Sequence, residues 1–232
     1  MSRLAPNVPL AEQVASQLRR RIAAGEFAVG TRLPTEMELV AELGVSRNSV
    51  REALRSLVHA GLLRARAGDG TYVTATSDLA PAVARRIELD RAADVAEVRL
   101  LLEREGARLA ATRATAEQRD QLRQALADRG AAQDLPTYTA TDIALHSLLL
   151  EASGNALLAE LYRGTGGVEQ AHRDLGSDKE FAVLQTELAD VDAAHVDVIE
   201  AIIAEDPDAA GAAAERMVRL VIAHTGTETT AR

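Results

Sequence analysis

The chain has 232 residues, 47% of them apolar and 26% charged, which suffices for two domains with real cores and argues against disorder except at the ends. It has no cysteine, which excludes disulfides and thiolate metal centres, and no apolar run approaches the length needed to span a bilayer. The net charge of −9 is uneven: residues 1–74 carry +3 and residues 75–232 carry −12, so a polyanionic partner suits only the first part, and the acidic part is expected to sense something or to dimerise.

No secretory signal opens the chain, so a cytoplasmic protein with no membrane partner is expected. Residues 1–8 read as a flexible tail. Pro9 to Ala24 read as an amphipathic helix carried by Leu10, Val14, Leu18 and Ile22. Thr35-Glu36-Met37-Glu38 is a capping box that opens a short helix with Leu39, Val40 and Leu43 facing inward, and Gly44 ends it. Only a tight turn fits before Ser46, the N-cap of the next helix, so the two helices must cross steeply, as in a helix-turn-helix.

In that second helix Val50, Leu54, Leu57 and Val58 form the apolar stripe, which leaves Arg47, Asn48 and Arg51 exposed on the first turns. These residue types reach guanine edges, adenine edges and phosphates from a helix in the major groove. Gly61 stops the helix, Leu62–Arg66 and Thr71–Thr74 alternate like short strands, and Gly68-Asp69-Gly70 is hairpin chemistry. A winged helix-turn-helix over residues 9–74 follows. The plain alternative is a helical hairpin with a solvated basic face.

Residues 75–81 read as a linker, with Ser77, Asp78 and Pro81 marking the break. From there only helical periodicity is found, over about 82–89, 92–112, 115–130, 136–153, 155–165, 181–205 and 208–225. Residues 82–226 are therefore expected as an antiparallel all-helical bundle and 227–232 as a second tail, so the fold class is mainly α. With five aromatic residues, the cores must be built from Ala, Leu and Val.

Asp142 and His146 stand four apart on one helix face and His195 lies mid-way along another helix, so the three could hold a divalent ion such as Zn, Ni or Mn between facing helices. A local hydrogen-bonded Asp/His pair is the plainer reading of the same spacing. Arg99, among Leu100, Leu101 and Leu102, could bind a ligand carboxylate or pair with Glu103 or Asp94. His59, His172 and His224 are given no role.

Taken in order, Gly30-Thr-Arg-Leu-Pro-Thr-Glu36, Gly44-Val-Ser-Arg-Asn-Ser-Val-Arg-Glu-Ala-Leu54, Gly61-Leu-Leu63 and Gly68-Asp-Gly-Thr-Tyr-Val73 resemble the GntR family of bacterial transcription regulators. Glu97-Val-Arg99 with Leu102-Glu103, Asp142-Ile-Ala-Leu-His146 and Ala152-Ser-Gly-Asn155 are similar to its FadR-type branch, which has an all-helical effector domain called FCD. The resemblance covers nearly the whole chain. It implies a homodimer that reads a palindromic operator in double-stranded DNA, usually a repressor, released by a small carboxylate metabolite.

By position, the resemblance makes Arg32, Ser46, Arg47, Asn48, Ser49, Arg51 and Gly68 the DNA-binding residues and Arg99 an effector-binding residue. It also implies a metal site of one Asp and three His, matched here by Asp142, His146 and His195. The third histidine falls on Met217, a soft thioether, and His224 lies two turns beyond it. An arginine expected after the Glu of the Leu-Pro-x-Glu segment is replaced by Met37. Two other readings stand beside the regulator with a metal site: a metal-free sensor of acyl thioesters and a non-haem metalloenzyme.

Overall fold

The computed structural model describes residues 8–87, 92–166 and 181–225 and divides into two compact units, Met1–Ala82 and Val83–Arg232. Both expected tails apart from Val8, the end of the helix expected to close at residue 89, and His172 lie outside the described residues.

In the first unit α1 (Leu10–Ala23) and α2 (Glu36–Leu43) both pack on α3 (Arg47–His59), and α3 contacts strand β1 (Leu63–Arg66), which pairs antiparallel with β2 (Gly70–Val73). The caps are those the residues dictate. Thr35 accepts from the Glu38 amide while Glu38 accepts from the Thr35 amide at 2.7 Å, and Ser46 accepts from the Ser49 amide at 3.2 Å. Gly44 closes α2 at φ 64°, a left-handed conformation that costs glycine little.

The core joins Val14, Leu18, Ile22, Leu39, Val50, Leu54, Leu57, Leu62 and Val73. Two expected core residues are exposed instead, Leu10 at 47% and Val58 at 36%. Leu10 is the first residue of its helix, and Ala53 takes the inward position on the α3 stripe. Residues 31–33 join the wing: the Leu33 amide bonds the Thr71 carbonyl and the Val73 amide bonds the Thr31 carbonyl, which adds a short third row.

The expected linker is shorter than read. Helix α4 (Leu79–Ile87) begins inside it, with Pro81 in the first turn, where a missing amide hydrogen breaks no helical bond. The second unit continues with α5 (Ala92–Arg113), α6 (Ala116–Gly130), α7 (Leu135–Ala152), α8 (Ala156–Thr165), α9 (Phe181–Glu187), α10 (Ala189–Ile203) and α11 (Pro207–Thr225). The sequence reads as one continuous helix over 181–205 ahead of the final one. It is interrupted at Leu188, whose φ −92° and ψ 6° leave the helical region while its side chain is buried with Leu184, Val191 and Tyr138.

Helix α11 packs along α5 and α10, α6 packs on α7, and α5 also meets α7 and α8. The four-residue connection from α6 to α7 makes that pair an antiparallel hairpin. Ala107, Ala110, Ala111, Ala213 and Ala214 line the seams, so backbones approach closely, and a Cβ at Gly106 would stand 2.6 Å from the Leu150 methyl. Among the described residues no helix is long and apolar enough to cross a membrane.

Candidate functional sites

The first unit gathers a basic surface at the start of α3. Ser46, Arg47 and Asn48 are exposed there, and Ser49 is half-buried, with its hydroxyl 2.9 Å from that of Ser46. One oxygen of Glu36, at the start of α2, lies 3.2 Å from Arg47 Nε and 3.6 Å from Arg51 Nε. Glu36 therefore holds two arginines of α3, a role its place in the capping segment did not reveal.

A groove of about 340 Å³ runs beside this surface, lined by Arg32, Thr35, Glu36, Arg66, Gly68 and Gly70. Arg32 crosses so close to the wing that a Cβ at Gly70 would collide with its guanidinium. Gly68 is exposed at the hairpin tip with φ 75°. Met37 is 72% exposed and brings no charge to this face.

The second unit holds a buried polar site on two helices. Asp142 and His146 project from α7 and His195 from α10, each 5% exposed or less. His146 Nε2 lies 3.2 Å from His195 Nε2, and Asp142 Oδ1 lies 3.3 Å from His195 Nε2 and 4.0 Å from His146 Nε2. A triangle with those sides has a centre about 2.1 Å from each corner, the usual length of a zinc–nitrogen or zinc–oxygen bond. The spacing thus fits a divalent ion.

The surroundings prepare the same donor set. His195 Nδ1 donates to the Val191 carbonyl at 2.7 Å, which leaves a lone pair on Nε2. His146 Nδ1 faces Glu103 Oε2 at 3.4 Å, and neither atom has a closer hydrogen-bond partner among the described residues. With its proton on that side, His146 also presents a lone pair. Burial pushes the His146 pKa down to about 4, so its ring is neutral near pH 7, the form that binds metal.

Glu103, on α5, is 1% exposed and is held by Arg99 Nε and by the Tyr162 hydroxyl at 3.2 Å. Burial alone would raise its pKa, but the charge and the hydrogen bond of Arg99 bring it below the usual carboxylate value. Arg99 thus takes the salt bridge with Glu103 that its sequence position offered as an alternative to ligand binding.

Sequence reasoning missed Arg129. From the end of α6 it donates through Nε to Asp142 Oδ1, through Nη2 to the Tyr138 hydroxyl, and through Nη1 to Asp192 Oδ1 at 2.8 Å. The Tyr138 hydroxyl also donates to Asp192 Oδ1, at 2.8 Å. Asp142 therefore faces a guanidinium on one side and two imidazoles on the other. Nothing in the polar pattern of α6 set Arg129 apart from its exposed neighbours.

The expected fourth ligand position is apolar: Met217 is 2% exposed and belongs to the main core cluster. His224 is exposed, with its ring nitrogens 2.8 Å from the Leu220 carbonyl and 2.9 Å from the Glu187 carbonyl. The group of described residues whose ligand atoms converge is Asp142, His146 and His195.

Comparison with known proteins assigns both units. Residues 10–73 match the model for "Bacterial regulatory proteins, gntR family", and residues 94–220 match that for the FCD domain. The chain belongs to the GntR family. This GntR regulator is 31% identical over 224 residues to a putative L-lactate dehydrogenase operon regulatory protein of Escherichia coli strain K12, covering 93% of this chain and 85% of the relative. It is 32% identical over 224 residues to the transcriptional repressor NanR of Cronobacter sakazakii, covering 92% and 84%.

A solved structure of Streptococcus agalactiae GntR aligns with a TM-score of 0.67 at 31% identity, covering 91% of this chain and 98% of that one. The two domains and these relatives make this GntR protein a DNA-binding transcriptional regulator and not an enzyme, which sets the metalloenzyme reading aside.

Proposed function

We propose that this regulator is a cytoplasmic repressor that binds a palindromic operator as a homodimer and leaves it when a small carboxylate metabolite enters the helical domain. On this reading Arg47, Asn48 and Arg51 meet base edges and phosphates, Arg32, Ser46 and Ser49 meet the backbone, and Gly68 lets the wing tip approach the minor groove. The names of the NanR relatives support repression as the sign of control.

The observation that carries the sensing half is the convergence of Asp142 Oδ1, His146 Nε2 and His195 Nε2 in a buried site. These residues would hold a divalent ion, Zn, Ni or Mn, which supplies a Lewis-acidic point for an effector carboxylate or hydroxyl. Glu103 orients His146, and the Val191 carbonyl orients His195. Arg99 holds Glu103 in place.

One observation favours a second reading in which the effector binds without metal, as in an acyl-thioester sensor: Arg129 already neutralises Asp142. Calorimetric titration of the full chain with Zn, Ni and Mn, with His146→Ala and His195→Ala alongside, separates the two. Binding by the wild type that both variants lose supports the metal site. Metal binding by His146→Ala as tight as wild type contradicts it. Gel shifts on a mapped operator with and without the metal then read whether the site controls DNA binding.

A further inference from the structure

The partners of Arg129 are unequal. Arg129 is buried, with 3% of its side chain exposed, and so is Asp142, whereas 38% of the Asp192 side chain is exposed. Yet Asp192 Oδ1 receives two inward donors, Arg129 Nη1 and the Tyr138 hydroxyl, each at 2.8 Å. Burial, followed by the neighbouring carboxylates, raises the Tyr138 pKa, so its phenol stays protonated and remains a donor. A solvent-reached carboxylate thus caps a guanidinium and a phenol that water does not reach.

We propose that Arg129 Nη1 and the Tyr138 hydroxyl form a carboxylate subsite, and that Asp192 is its resident occupant, displaced by the carboxylate of an incoming small anion. The identification of that anion with the effector rests on the reading given above. The donor pair selects the chemistry. Arg129 Nη1 can only donate, and the Tyr138 hydroxyl, whose oxygen already accepts from Arg129 Nη2, turns its hydrogen to the subsite, so the pair takes an anionic oxygen and rejects an ammonium group.

The exchange is thermodynamically mild because Arg129 is never left without a charge partner. One carboxylate replaces another, and the one that leaves is already partly hydrated. Without the anion, Asp192 keeps the buried guanidinium satisfied. A tethered occupant competes at the high effective concentration of an intramolecular group, so it also sets the concentration at which a free anion succeeds.

The subsite is linked to the metal-ligating residues. Arg129 bridges Asp192 and Asp142, and Asp192 stands one turn before His195 on α10, just after the interruption at Leu188. Displacement of Asp192 removes a tie between α10 and both α6 and α7. A carboxylate in the subsite therefore acts on the elements that carry Asp142, His146 and His195.

The test compares the full-length wild type, Asp192→Ala and Asp192→Asn by thermal unfolding in sodium acetate against sodium chloride at equal ionic strength, with acetamide as the neutral control. With the tethered competitor gone, acetate should stabilise Asp192→Ala at about a tenfold lower concentration than wild type. Asp192→Asn should respond in the same direction, and its similar shape preserves the test if the alanine variant fails to fold. Acetamide should do nothing, and adding Tyr138→Phe should weaken the acetate response.

An acetate response no greater in either variant than in wild type overturns the subsite. Operator affinity measured on the same samples keeps the two ideas apart. A gained acetate response with unchanged operator affinity supports the subsite and contradicts its use by the effector. Operator release by a carboxylate, with unaltered acetate responses in both variants, overturns the subsite and leaves the effector reading standing.

Discussion

Arg129 Nε donates to Oδ1 of Asp142, the oxygen that also lies 3.3 Å from His195 Nε2. A guanidinium and a metal ion would share that one oxygen, so each weakens the hold of the other. Arg129→Met should cost the metal-free protein about 3–5 kcal/mol, the range for stranding one partner of a buried ion pair. It should also tighten zinc binding, since the ion then supplies the missing positive charge. Calorimetry with zinc and urea unfolding in a chelator check both halves, and unchanged zinc affinity would show that Arg129 and the metal do not compete.

Met217→His is expected to raise the affinity for Zn, Ni or Mn by adding an imidazole where the family resemblance places the third histidine. The same substitution puts a polar ring into an apolar core at a position 2% exposed, so the metal-free variant should melt lower than wild type. Opposite shifts of melting temperature with chelator and with metal are the predicted signature. A variant equally destabilised in both conditions would place Met217 outside the site.

Glu103 joins Arg99, Tyr162 and His146 inside the bundle. Glu103→Leu alone strands the Arg99 charge and should cost about 3–5 kcal/mol, whereas the Glu103→Leu, Arg99→Met pair should recover most of that loss because apolar replacements of a buried ion pair are often neutral. Urea denaturation of the two single variants and the double variant gives the coupling directly. Additive losses would mean that the pair is not the unit holding this part of the core.

Much of this architecture was legible in the sequence, and the failures have physical causes. The capping box, the Ser46 cap, Gly44 and the Gly68-Asp69-Gly70 turn are local signals, and each appears in the structure where short-range chemistry puts it. Asp142 and His146 were readable from helical spacing, and His195 from its place mid-way along a helix. Arg129, Tyr138, Asp192 and Tyr162 were not, because their meeting depends on how α6, α7, α8 and α10 pack, at sequence separations of up to 63 residues. The interruption at Leu188 carries no glycine or proline, so tertiary burial decides it. The pairing of Glu36 with Arg47 and Arg51 was hidden because a first-turn glutamate reads as a helix-capping charge.

A palindrome reader needs two-fold symmetry, so the full chain should run as a dimer at micromolar concentration. Light scattering should return twice the chain mass. A monomer under those conditions would remove the symmetric operator from the account.

The most direct measurement is selection of bound sequences from random double-stranded DNA by the purified full chain, followed by binding isotherms for wild type, Arg47→Ala and Arg51→Ala. The wild type should enrich a short palindrome, and each variant should lose about 1–3 kcal/mol of base discrimination per subunit while unfolding at an unchanged temperature. No enriched sequence, or an enriched palindrome that both variants bind with wild-type affinity, would contradict the placement of α3 in the DNA groove.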